Sequence, residues 1–222
     1  MKLDGRLMSV ANLIRKNKSV ADIGTDHAYL PVYLIENGIS NFVIASDVRK
    51  GPLSNAKKTI VAHNLCDKIE LRLSDGLDNF SDNEVEEVAV AGMGGLLISQ
   101  FIERTTWIQN KNIHLILQPM THVEELRETL YNNGFLIDKE CVSTDNNKLY
   151  ITISAFYVGE KQSYSDFDLI VGKLTQNNDE LSGKYLNHLY DKYNKKLCAL
   201  INAQKPCEKY EEIVEKLKLW QQ

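Results

Sequence analysis

The 222-residue chain is 43% hydrophobic and 25% charged, enough apolar material for one medium-sized core with an appendage and too much for a disordered chain. A net charge of −4 argues against indiscriminate nucleic-acid binding. Phosphate affinity nevertheless depends on local basic surface, and Lys and Arg outnumber the acidic residues over positions 1–63. No apolar run approaches the ~20 residues that span a bilayer. The start MKLDGRLMSV is charged where a signal peptide is apolar, so the expectation is a cytoplasmic protein.

In chain order, Asp4 stands as an N-cap before a helical pattern through Lys16 carried by Leu7, Val10 or Ala11, Leu13 and Ile14. Strand-like runs then alternate with amphipathic helices. The strands are Ser19 to Thr25, Phe42 to Val48, Ile69 to Ser74, Val85 to Met93, Ile113 to Met120, Phe135 to Val142 and Leu149 to Val158. The intervening helices are Tyr29 to Asn37, Ser54 to Asn64, Gly94 to Arg104 and Val123 to Asn133. This spacing predicts an α/β doubly wound fold, a Rossmann-like sheet of seven mostly parallel strands covered on both faces. Only the polar turn Thr144 to Lys148 separates the last two strands, which predicts an antiparallel hairpin at one end of the sheet. A closing hairpin of this kind resembles class I methyltransferases, whereas the parallel part alone is shared with dehydrogenases.

The polar stretch Gly159 to Ser165 marks a boundary between a domain at 1–160 and a helical one at 161–222. In the second, Leu186, Tyr190, Tyr193, Leu197 and Leu200 form one apolar stripe. Beyond Pro206, Tyr210, Ile213 or Val214, Leu217 and Trp220 form another, predicting two antiparallel helices packed as a short coiled coil. Cys66, Cys141, Cys198 and Cys207 are scattered without a CxxC pair or a histidine at zinc-ligand spacing. They read as buried reduced thiols, and no metal site is expected.

Chemistry-bearing residues gather where predicted strands end. The first strand runs into Asp22-Ile-Gly-Thr-Asp-His-Ala28, where Gly24 lets a ligand approach the backbone and Asp26 would repel a phosphate. An acidic turn of this kind suits a cationic ligand with an amino acid moiety; an ordinary strand-to-helix turn is the alternative. The second strand ends at Asp47, followed by Val48, where doubly wound folds place a carboxylate against a ribose. The third ends in Ser74-Asp75-Gly76, suited to setting a carboxylate beside an adenine amino group or simply to a surface turn. The fourth ends in Ala91-Gly92-Met93-Gly94-Gly95, glycines at the carboxyl edge where open α/β folds bind ligands. The fifth ends in Gln118-Pro119-Met120, with an amide placed to meet a base edge.

The motifs DIGTDHAYLP, ASDV followed by GPL, SDGL, AGMGG and ILQPM occur in this order before a helical extension. Together they resemble the bacterial tRNA adenine N1-methyltransferases that act at tRNA position 22, over essentially the whole chain; Met120 departs from members with a polar residue there. The resemblance implies a class I methyltransferase fold, S-adenosylmethionine as cofactor and tRNA as substrate. It also implies that Asp22, Gly24, Thr25, Asp26 and His27 surround the methionine moiety, Asp47 and Val48 the ribose, Asp75 and Gly76 the adenine, and Ala91, Gly92 and Met93 the transferred methyl. Asp26 and Gln118 are the expected catalytic residues. Arg6, Arg15, Lys16, Lys57 and Lys58, with the C-terminal Lys192 and Lys195, are expected to bind RNA. The chain reads as a monomer, with a dimer left open. A methyltransferase for another RNA, a protein or a small molecule, and a non-catalytic RNA-binding protein, are the rival readings.

Overall fold

A computed structural model describes residues 1–220. Asp4 caps α1 (Gly5–Leu13), its carboxylate accepting from the Leu7 N–H at 2.7 Å. Four strands and three helices follow: β1 (Val20–Ile23), α2 (Tyr29–Glu36), β2 (Val43–Asp47), α3 (Lys50–Ala62), β3 (Ile69–Leu73), β4 (Glu87–Met93) and α4 (Gly95–Arg104). Then come β5 (His114–Pro119), α5 (Val123–Asn132), β6 (Phe135–Asp145) and β7 (Lys148–Tyr157). The expected elements are present, with ends moved by a few residues.

The seven strands lie in the order β3-β2-β1-β4-β5-β7-β6. β7 pairs antiparallel with both β5 and β6, and all other pairings are parallel. The hairpin turn is the two residues Asn146 and Asn147, both at positive φ, a pairing that matches the strands' right-handed twist.

Alternation along the strands splits the interior in two. Ala89 of β4 and Ile116 of β5 join the cluster beneath α1, α2 and α3, whereas Val88, Val90, Leu115 and Leu117 face the opposite one, with Ile98 and Phe101 of α4 and Leu126 and Leu130 of α5. That second cluster continues into the C-terminal helices.

These are α6 (Asp166–Val171), α7 (Glu180–Asn202) and α8 (Glu208–Lys218), with a 3-10 turn at Leu174–Gln176. Leu186, Leu189 and Tyr193 of α7 and Ile213, Val214 and Leu217 of α8 are buried in the same cluster as the sheet residues. A buried pair locks the corner beneath them. Arg127 of α5 donates to Glu140 of β6 at 2.9 Å and to the carbonyls of Leu169 and Ile170, and Glu140 also accepts the Lys173 N–H at 2.6 Å. The cysteines depart from expectation. All four are free, but Cys66 and Cys198 are exposed, since one sits in the turn after α3 and the other on the outer face of α7. No described helix is long and apolar enough to cross a membrane.

Candidate functional site

Backbone hydrogen bonds tie the carboxyl tips of neighbouring strands into one edge. The N–H groups of Gly24 and Thr25 both donate to the Ser46 carbonyl at 2.8 Å, that of Ser74 to Asp47 at 3.0 Å, and that of Met120 to Met93 at 2.7 Å. Asp22, Asp47, Gly92 and Gln118 thereby lie along one carboxyl edge, near the ends of β1, β2, β4 and β5, the edge where open α/β folds form their ligand crevice.

Among the carboxylates of this edge, Asp22 is the one whose titration burial shifts upward. Only 7% exposed and without an ion-pair partner among the described residues, its carboxyl is pushed up to about 6 by loss of solvent, with the Thr25 side chain opposing that rise. A cation delivered to this point would relieve the cost. Gly24 has φ +81°, a conformation that favours glycine, and the Met93 methyl at the end of β4 lies 2.1 Å from where a Cβ there would be. Asp47 is also buried and accepts the Arg49 N–H at 2.7 Å, while Val48 beside it is exposed.

Asp26 and His27 reach solvent, their side chains 3.4 Å apart, and the His27 ring stacks on exposed Tyr29 at 5.1 Å. Ala28 adopts a left-handed φ of 55° between them, turning the chain into α2. Asp75 faces outward, and Arg104 holds its carboxylate at 3.1 Å. A Cβ on Gly76 would meet the Phe101 ring at 2.6 Å, so that glycine also serves close packing of α4. The same holds for Gly95, where a Cβ would strike the His122 carbonyl. Among the strand-end glycines Gly92, between Ala91 and Met93, is the exposed one, with φ +80°.

Gln118 and Arg6 are placed differently from expectation. Gln118 is fully buried. Its oxygen accepts from the Gly92 N–H and from Arg6 Nη1, each at 3.1 Å, and its nitrogen donates to the Pro119 carbonyl at 2.9 Å. With both ends engaged, the amide orients Gly92 and Arg6 and does not present itself to a base. Arg6 accordingly reaches the crevice, where a Cβ on Gly92 would lie 3.0 Å from its Nη1. Sequence reasoning placed Arg6 among phosphate-tracking residues; helix periodicity carries no signal for which sheet edge it reaches.

Arg15, expected to bind RNA, is engaged in an ion pair. Its guanidinium pairs with fully buried Glu87 and donates to the carbonyls of Glu86 at 3.0 Å and Asn112 at 2.9 Å. These groups lie at the amino ends of β4 and β5, the edge opposite the crevice, so Arg15 neutralises a buried carboxylate there. Lys16 is exposed near that same edge, and Lys18 pairs with Glu86 at 2.6 Å. Lys57 and Lys58 are exposed on α3, and Lys192 and Lys195 on α7.

Residues 3–153 match the methyltransferase domain family. The tRNA (adenine(22)-N(1))-methyltransferase of Bacillus subtilis strain 168 is 33% identical over 174 residues, covering 78% of this chain and 73% of that protein. Among solved structures, Streptococcus pneumoniae Sp1610 in complex with S-adenosyl-L-methionine is similar over 100% of both chains, with a TM-score of 0.84 and 29% identity. M. capricolum TrmK, bound to the cofactor product S-adenosyl-homocysteine, is similar over 99% of this chain and 96% of that one, with a TM-score of 0.76 and 27% identity.

Proposed function

The chain belongs to the tRNA (adenine(22)-N(1))-methyltransferase family, and from that premise we propose that it methylates N1 of adenine 22 in tRNA with S-adenosylmethionine as donor. The observation that carries the reading is the edge of linked strand tips in which a buried carboxylate, Asp22, awaits a cation beside Gly24. The residues fit the donor. Asp22 suits its ammonium group, Asp47 a ribose hydroxyl pair, and the Gly92–Met93 wall its methyl-bearing end, with Thr25 and His27 around the turn and Val48 beside Asp47.

When bound, that donor supplies an electrophilic methyl group on a sulfonium. Adenine N1 carries an in-plane lone pair when neutral, so the chain removes no proton before attack, and its residues act by positioning and by meeting charge. Gln118 fixes the Gly92 N–H and Arg6 at the crevice mouth. Exposed Asp26 faces the target side, orienting the adenine amino group or opposing the positive charge that the base gains. Asp75 and Gly76 border the adenine of the donor, and Asp75 leaves Arg104 to do so.

Lys57, Lys58, Lys192 and Lys195 supply phosphate contacts, with Arg6 at the site itself. Residues 1–160 act as the cofactor-binding domain. The helices α6, α7 and α8 act as a helical coiled-coil domain that shares the sheet's hydrophobic cluster. The protein works as a cytoplasmic monomer.

The reading is tested by incubating the protein with labelled cofactor and unmodified tRNA and mapping the label, expected at N1 of adenine 22; label elsewhere, or none, overturns it. For the residue roles, Asp26→Asn should lower kcat at least tenfold with cofactor affinity unchanged by calorimetry. A folded variant of wild-type rate removes Asp26 from the reaction.

A further inference from the structure

Next to the crevice lies a groove of about 550 Å³ between the β6–β7 hairpin and α7. Its floor is apolar, from Met120, Leu149, Ile151 and Leu189, and Met120 is 45% exposed there. Because the Met120 N–H donates to the Met93 carbonyl, the groove and the methyl-transfer wall are built on one pair of strand ends. Lys148 and Tyr150 border the groove at the hairpin, and Tyr185, His188 and Lys192 border it from α7, where a spacing of three and four sets them on one helix face. Lys148 and His188 are exposed and have no ion-pair partner among the described residues. Glu124, on the same flank, is occupied by the Tyr193 hydroxyl at 2.7 Å and by Lys192 at 3.6 Å.

We propose that this groove holds the single-stranded RNA immediately flanking the methylated adenine, with bases over its apolar floor and against the bordering Tyr150 and Tyr185, and phosphates on its cationic rim. The inference rests on the tRNA-methyltransferase reading. Adenine N1 lies on the Watson–Crick edge, so the target must leave any pair to be attacked, and its neighbours lose stacking as it does. A surface that joins aromatic rings to lysines recovers that stacking and neutralises the backbone. Continuity through the Met120–Met93 hydrogen bond sets this surface beside the end of β4.

The test is tRNA binding measured directly, so that it is independent of turnover. K148E/K192E should weaken tRNA affinity at least tenfold and flatten its salt dependence, with S-adenosylmethionine affinity kept; Y150A should weaken it about fivefold or more. K111E, on the loop before β5 at the opposite sheet edge, should change little. A photocrosslinking phenylalanine analogue at Asn147 should label nucleotides within two of adenine 22. Unchanged affinity in K148E/K192E, equal loss in K111E, or a crosslink elsewhere overturns the groove assignment. Label placed by the wild-type enzyme at adenine 22 preserves the activity in that event, whereas its absence strikes the activity itself.

Discussion

Asp22 and Glu87 lie on adjacent parallel strands, two positions apart in register, since Val20 pairs with Glu87 and Asp22 with Ala89. Both carboxylates are buried, yet one is bare and the other is saturated. Glu87 takes Arg15 and His114, and the far nitrogen of His114 meets Ser154, which donates to Asp138. Asp22 has Thr25 and no ion pair among the described residues. Burial of charge therefore does not by itself mark a ligand site; burial without compensation does, because the missing partner has to come from outside. Glu140, answered by Arg127 and the Lys173 N–H, belongs with Glu87.

The comparison breaks first where compensation is removed. Arg127→Met leaves Glu140 buried without its cation and should cost about 3–5 kcal/mol in urea denaturation, with cofactor affinity of the folded fraction unaltered. A loss below about 1 kcal/mol would put the C-terminal corner outside the class of saturated pairs.

Asp22→Asn should act in the opposite sense on stability. A carboxyl raised from 3.8 to about 6 favours the folded state while protonated; that contribution is complete below the unfolded value near 3.8 and is lost as pH rises through about 6. Above pH 7 the amide should thus stabilise the fold by up to about 3 kcal/mol, a gain that vanishes near pH 4, while cofactor binding weakens. Equal thermal midpoints of variant and wild type across that pH range would show that Asp22 is already compensated.

The smallest effect separates the two arginines. Arg15→Ala, removing a half-exposed partner from Glu87, should cost about 1–2 kcal/mol and leave the tRNA KM unchanged. Arg6→Ala should leave stability nearly unchanged and impair kinetics instead. Identical kinetic defects in the two would return Arg15 to an RNA-binding role.

Much of the site was legible because a strand end followed by a turn is a local event. DIGTDH, ASDV and AGMGG each announce where a strand stops and what the following backbone can approach, and the structure draws those stops onto one edge. Gly76 and Gly95 were harder, because their need for a bare α-carbon comes from Phe101 and from the His122 carbonyl, contacts absent from the local pattern. The groove beside Met120 was invisible for the same reason, being assembled from β5, a hairpin and α7.

By itself the sequence determined the alternation of strands and helices, a hairpin turn within Thr144 to Lys148, and the acidic and glycine-bearing strand ends, since each depends on periodicity or on turn chemistry at a few neighbouring residues. Only the tertiary structure decided that β7 rather than β6 lies beside β5, that Gln118 is spent on Arg6 and Gly92, and that Arg6 and Arg15 serve opposite edges. Arg6 stands in the first turn of α1 and Arg15 just past its end at Leu13; the helix between them, rising 1.5 Å per residue, is roughly 12 Å long, enough to turn the same side chain from a site residue into the partner of a buried glutamate. Which of the two it becomes depends on what α1 is packed against.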